Sequence, residues 1–192
     1  WGDVGGEGRE RRCTPRAIYS GFGCVGVLQE AIDDFYMNDG KSIHESGLYS
    51  EEGIGEDGIP NMYKNREPRF YASILYNGAT WKGRTLQLYV DGNDGYMDFA
   101  TTGQDNVHKS TTGYLIRKFA SDDTNINFSS ILSGQYWIEM RLAEIYLIRS
   151  EAYARQNEFG KAYADLKTIR DRVGLPELAQ QNNWSDYLED LS

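Results

Sequence analysis

Apolar positions repeat with helical spacing most clearly late in the chain, between residues 136 and 176. Phe159, Ala162, Tyr163, Leu166, Ile169, Arg170 and Val173 recur at three- and four-residue steps, the spacing of one helical face. Asn157 is placed to cap the start of this helix with its side-chain oxygen. Gly174 suits the left-handed residue just past its end, and Pro176 forbids continuation. In the preceding segment Met140, Leu142, Ala143, Ile145, Leu147, Ile148, Ala152 and Ala154 cover most of a helix's circumference, which predicts burial from several sides. Glu151 and Arg155 stand four apart in the order that favours a surface ion pair. The polar linker from Arg155 to Glu158 is short enough to force the helices antiparallel.

Upstream the pattern is weaker. Residues 1–19 are glycine- and charge-rich without a period and read as loop. Val27, Leu28, Ala31, Ile32 and Phe35 give a short amphipathic helix over 25–35, ended by the turn residues Asn38, Asp39 and Gly40. Residues 44–61 read as loop. After Pro68, the alternation of Phe70, Ala72, Ile74 and Tyr76 with Tyr71, Ser73 and Leu75 predicts a strand closed by Asn77-Gly78. Its partner is expected at Thr85–Val90, which leaves Thr80, Trp81, Lys82 and Arg84 at a polar hairpin tip. Thr112 to Phe119 is a second short strand, and a further helix is expected near Ser185. The fold class that follows is mainly α, with helical hairpins, long loops and one small β-hairpin.

Composition sharpens this. A chain of 192 residues can bury a sizeable core, and 21 glycines fit long loops around it. The net charge of −9 argues against nucleic acid, because phosphate neutralisation needs clustered cations. The run Arg9, Arg11, Arg12 and Arg16 is diluted by Glu7 and Glu10 and reads as a solvated loop. Cys13 and Cys24 lack zinc-site spacing; an oxidising compartment would pair them and a reducing one would leave two small apolar residues. Residues 91–98 imitate a calcium loop, but glycine comes fifth and position twelve is Thr102, so a turn is the better reading. Glu51, Glu52, Glu56 and Asp57 match no known cation loop. Asp33 and Asp34 diverge by about 100° on a helix and form no acid–base dyad. His108 has no triad partner, and no nucleophile elbow, phosphate loop, HExxH or CxxC is present. No catalytic residue, metal site or cofactor is predicted.

Fourteen tyrosines and four tryptophans are many for this length, and aromatics on loops stack on sugar faces or line peptide grooves. Residue type and loop placement therefore nominate Trp81, Tyr49, Tyr63, Tyr96, Asn77 and Arg84 as ligand-binding candidates.

The late αα-hairpin resembles a tetratricopeptide unit, with small alanines at the crossing and a proline after the second helix, and such units need neighbours to stack on. The wording is more specific still. Arg141, Ala143 and Glu144, then Ser150-Glu151-Ala152, then Ile169-Arg170-Asp171-Arg172 running into Gly174-Leu175-Pro176, resemble the C-terminal segment of the SusD/RagB family. So do the Asp39-Gly40 turn, Glu67-Pro68-Arg69-Phe70 and the Gly113-Tyr114 to Arg117-Lys118 segment. The resemblance implies a tetratricopeptide-like α-α superhelix on a surface-exposed outer-membrane lipoprotein. It implies an oligosaccharide ligand, or a peptide for a RagB-like member, and a lid-like partnership with a SusC-like TonB-dependent transporter. The membrane would be met only through a lipid anchor not present in this chain. A plain tetratricopeptide-like interaction scaffold is the alternative. The family continues beyond such a helical hairpin, so the chain is expected to be a C-terminal fragment. Residues 1–135 are then the loop-rich ligand side, 136–176 the hairpin, and 177–192 the start of another helix.

Overall fold

A computed structural model describes residues 6–15, 21–95, 109–118, 120–127 and 138–178. In chain order these form α1 (Gly6–Cys13), α2 (Gln29–Asp33), a 3-10 turn (Asn61–Tyr63), α3 (Pro68–Ser73), β1 (Ile74–Leu75), β2 (Thr80–Trp81), β3 (Arg84–Thr85), β4 (Leu115–Ile116), α4 (Leu142–Arg155) and α5 (Phe159–Arg172). The further helix expected near Ser185 lies outside the described residues, as do residues 96–108.

The first correction is α1, where a loop was expected. Its described buried residue is Glu10, and Thr14 just past its end is buried too, so no apolar period announces it. Its C-terminal carbonyls are taken by later amides, with Phe22 N donating to Arg11 O at 2.6 Å and Val25 N to Arg12 O at 3.0 Å. The helix expected over 25–35 is confined to α2, which buries Ile32 and leaves Leu28 exposed. The turn at Asn38 to Gly40 forms as expected, with Gly40 left-handed at φ 79.

The second correction concerns the strand expected over 70–76. Pro68 sits in the first helical turn, where its missing N–H costs nothing, so the segment opens as α3. Phe70 and Ile74 are four apart as well as two alternations apart, so both periods fit the run. Only Ile74 and Leu75 are extended, and they pair antiparallel with β4, not with Thr85–Val90. The hairpin is β2–β3, turned by Lys82 and Gly83 at φ 48 and 77, the two left-handed positions of a tight hairpin loop. Asn77-Gly78 forms a separate turn in front of it, with Ala79 N bonded to Tyr76 O at 3.0 Å. Phe70, Leu75, Tyr76, Trp81, Leu86 and Leu115 meet in the hydrophobic core between these pieces.

The αα-hairpin is present, and α5 ends as its sequence predicts. Gly174 is left-handed at φ 70, while Leu175 N and Gly174 N bond back to Arg170 O and Asp171 O, both at 3.1 Å. Asn157 behaves differently from expectation. It is left-handed at φ 58 and closes α4, with Glu158 N donating to Tyr153 O at 2.9 Å, while Glu158 holds the N-cap of α5. A short reversal needs one left-handed residue, and asparagine tolerates that conformation best among residues with a side chain. The expected burial of α4 from several sides is also corrected. Leu142 is 69% exposed and Ile148 56%, since one antiparallel neighbour covers only the crossing face. At that face Ser150 Oγ donates to Ala162 O at 2.8 Å, and Arg149 grips Asp165 through Nε and Nη2, each at 2.7 Å. Glu151 and Arg155 make their expected exposed pair at 2.7 Å. Arg170 links the hairpin to the earlier body, donating to Pro176 O at 2.8 Å with its guanidinium 5.9 Å from the Tyr36 ring.

The Arg149 hydrogen bonds hold the Asp165 carboxyl below its ordinary value of 3.8. A depressed folded-state value contributes stability that is complete above 3.8 and is lost as pH falls through the folded-state value. Asp165→Asn should therefore melt earlier than the parent at neutral pH, and the difference should close on acidification below 3.8. Thermal melts of both proteins along a pH series check this; a gap that persists in acid would remove the carboxylate as its cause.

Candidate ligand-binding site

The structure separates the five nominated residues it describes into groups with different work. Trp81 is 1% exposed and belongs to the core, because the hairpin turns after it rather than around it. It is corrected from a loop-tip platform to a packing residue. Asn77 and Arg84 secure the loop that follows the hairpin. Asn77 Oδ1 accepts from Leu88 N at 3.2 Å, and Arg84 forms a two-pronged pair with the buried Asp94, one prong at 2.8 Å. Asp94 also accepts from Gln87 N at 2.9 Å, so the carboxylate of the calcium-like stretch is committed to this clamp. Asp57 in the acidic loop is likewise held by Lys64 at 2.7 Å. Tyr96 lies outside the described residues.

Tyr49 and Tyr63 are brought together with residues that sequence reasoning did not nominate. Tyr63 is buried on the 3-10 turn, packed edge-on to Tyr114 at a centroid distance of 5.9 Å. Its hydroxyl donates to the Tyr114 hydroxyl at 3.3 Å, which donates to Gln29 Oε1 at 2.8 Å. Gln29 Nε2 then donates to Asp33 Oδ1 at 2.7 Å. A polar chain thus runs from a buried tyrosine pair to an exposed amide and a half-buried carboxylate on α2. Tyr49, half-buried, has its ring 6.0 Å from the Arg66 guanidinium, and the Asp33 carboxylate acts on its phenol.

Burial pushes the phenols of Tyr63, Tyr114 and Tyr49 up, and that of Tyr76 to about 12, so all remain protonated donors at physiological pH. Asp33 and Glu51 add to the rise at Tyr49, and the Arg66 cation opposes it. Arg66 is buried by contrast. It donates through Nη2 to Phe35 O at 3.0 Å and to Ile32 O, and through Nη1 to Met62 O at 3.4 Å. It fixes the wall behind Tyr49. Gln29 and Asp33 were legible as an i, i+4 pair on a helix, but their partner Tyr114 is 85 positions from Gln29, and no local spacing reveals it.

The arrangement leaves an exposed amide bonded to a half-buried carboxylate on α2, with a buried tyrosine pair behind them. Among the described residues no group of three metal-ligating side chains occurs, and no helix is long and apolar enough to cross a membrane.

The scaffold that carries this site is mostly helical and tetratricopeptide-like with a few short strands, the class shared by the solved structures it resembles. A SusD-like protein (BF3747) from Bacteroides fragilis NCTC 9343 superposes with a TM-score of 0.68 at 30% identity, over 95% of this chain and 36% of its own. The protein BT4246 gives 0.65 at 26% identity, over 86% of this chain and 30% of its own. A SusD-like carbohydrate binding protein (BF0978) from Bacteroides fragilis NCTC 9343 shares the fold with a TM-score of 0.64 at 22% identity, over 84% and 31% of the two chains. No curated protein matches. The SusD family profile matches residues 2–190, and the chain belongs to the SusD family. It spans about a third of the length of these solved relatives, 36% for the first.

Proposed function

We propose that the protein captures oligosaccharide at the outer-membrane surface, as part of a surface lipoprotein, and passes it to a SusC-like TonB-dependent transporter. The observation that carries this reading is the outlet on α2, where the exposed Gln29 amide is bonded to the Asp33 carboxylate and Asp33 acts electrostatically on the half-buried Tyr49, in a chain of the SusD family. The C–H face of a sugar packs on a tyrosine ring, while its hydroxyls donate to a carboxylate and exchange bonds with an amide. The ligand would meet fixed groups, because Tyr114 orients Gln29 through a 2.8 Å bond before anything binds.

Charge narrows the ligand. Two carboxylates, Asp33 and Glu51, act on Tyr49 against the one cation of Arg66, and the whole chain carries −9, so neutral oligosaccharides should bind in preference to uronate-containing ones. Calorimetry with neutral and acidic oligosaccharide pools tests the reading. Neutral pools should bind, and Tyr49→Ala should weaken binding by about 1–3 kcal/mol with the melting temperature retained. Gln29→Ala should cost roughly 1 kcal/mol. Binding of peptides alone would instead favour capture of the RagB kind, and binding of neither would leave an interaction scaffold.

A further inference from the structure

We propose that the turn Tyr89–Gly92 is a second carbohydrate contact, with the Tyr89 ring as a platform for the C–H face of a neutral sugar. The turn lies in the loop that leaves β3, and both sides of that loop are fixed from inside the protein. Leu86 and Leu88 anchor the incoming side in the core. Asp94, 1% exposed, anchors the outgoing side: its carboxylate takes both prongs of Arg84 and the Gln87 N–H at 2.9 Å. The backbone then closes on itself. Asp94 N and Gly95 N donate to Gln87 O at 3.2 and 3.1 Å, and Gly92 N donates to Tyr89 O at 2.9 Å. Asn93 N adds a bond to Gln87 Oε1 at 3.2 Å. A side chain at Gly92 would run into Gln87 O, so the turn is as tight as only glycine allows.

What this framework holds out is a ring. Tyr89 is 49% exposed and Val90 48%, and Asp91 and Asn93 on the same turn are exposed too. Single exposed apolar side chains are ordinary on a protein surface. This one differs in what holds it. A buried ion pair is a poor source of stability, since an apolar pair does as well, but four bonds to one carboxylate and one amide side chain do fix a conformation. Here the conformation fixed is that of an exposed turn, with Asp91 left-handed at φ 67. A ring already held in place loses little freedom on binding. The size of the platform selects the ligand. One ring and one valine fall far short of the roughly 800 Å² that each side of a stable protein interface buries, but they match a single sugar face. Among the described residues the Tyr89 hydroxyl, the Asp91 carboxylate and the Asn93 side-chain amide bond to nothing, so donors and acceptors for sugar hydroxyls share the turn with the ring. The charge of Asp91 favours a neutral ligand over an acidic one.

The inference takes its ligand class from the capture reading, and the experiment separates the two. The purified chain is nitrated with tetranitromethane, alone and with a neutral oligosaccharide pool, and each tyrosine is scored by peptide mass. Tyr89 should be nitrated in the free protein and protected severalfold by the pool. In calorimetry with the same pool, Tyr89→Ala should weaken binding roughly tenfold with the melting temperature retained. Tyr89→Phe keeps the ring and should bind nearly as the parent does. A parent that binds the pool, with Tyr89→Ala binding equally well and Tyr89 nitrated equally in both conditions, would overturn the platform and leave the capture reading standing. Equal losses in the alanine and phenylalanine variants would trace the effect to the hydroxyl and overturn the ring as the contact. A parent that binds no oligosaccharide would overturn both readings.

Discussion

Trp81→Ala is expected to lower the unfolding free energy by about 3–5 kcal/mol while leaving oligosaccharide affinity of the folded protein unchanged. Trp81 is 1% exposed on β2 and packs in the same cluster as Leu75, Leu86 and Leu115. Removing the indole leaves a cavity that two-residue strands on either side are poorly placed to close. The neighbouring Lys82 would lose one of its contacts as well: its ammonium, which donates to Ile126 O at 3.0 Å, lies 4.9 Å from the indole ring. Burial lowers the pKa of Lys82, so this contact lies in a partly desolvated place where a cation–π interaction is strongest. Urea unfolding of parent and variant, with calorimetry on the folded fraction, checks both halves. An affinity loss with undiminished stability would return Trp81 to the ligand surface.

That outcome turns on a single turn position, which explains what could be read from the chain and what could not. The αα-hairpin was legible because α5 carries a periodic apolar face with a left-handed glycine and a proline after it, all within twenty or so residues. The hairpin tip was not. Asn77-Gly78 is the stronger local signal, yet the chain places its β-hairpin turn at Lys82-Gly83, because the buried alternation of Leu86, Leu88 and Trp81 requires that register. The strand expected over 70–76 failed for a related reason: a run with apolar residues at both two- and four-residue steps is decided by its flank, and Pro68 decides for helix. α1 was invisible because the residue it buries is the charged Glu10, with polar Thr14 buried just past its end. The candidate site shows the limit most plainly. Tyr49 and Tyr63 were nominated by residue type alone, and the Tyr114–Gln29 bond that continues from Tyr63 closes across 85 positions and exists only in the folded chain.

Arg66→Ala should combine both kinds of loss, about 3–5 kcal/mol of stability together with weakened ligand binding. Arg66 is 2% exposed and its guanidinium bridges Ile32 O and Phe35 O near α2 to Met62 O on the 3-10 turn. It also lies 5.0 Å from the Phe70 ring and 6.0 Å from Tyr49. One side chain therefore ties the helix that presents Gln29 and Asp33 to the turn that presents Tyr63. Burial lowers its pKa, but a guanidinium remains charged, so alanine removes a buried cation together with the donors to three carbonyls. Arg66→Lys keeps the charge but cannot fork to separate carbonyls or stack flat against a ring, so it should fall between parent and alanine on both measures. This graded pair keeps the prediction testable if the alanine variant fails to fold. Tyr49→Ala should move affinity alone and Trp81→Ala stability alone, whereas the Arg66 series should move the two together. Denaturant titrations paired with calorimetry for all four variants would reveal that pattern. An Arg66→Lys protein with parental affinity and reduced stability would mean that the α2 outlet is positioned by something other than Arg66.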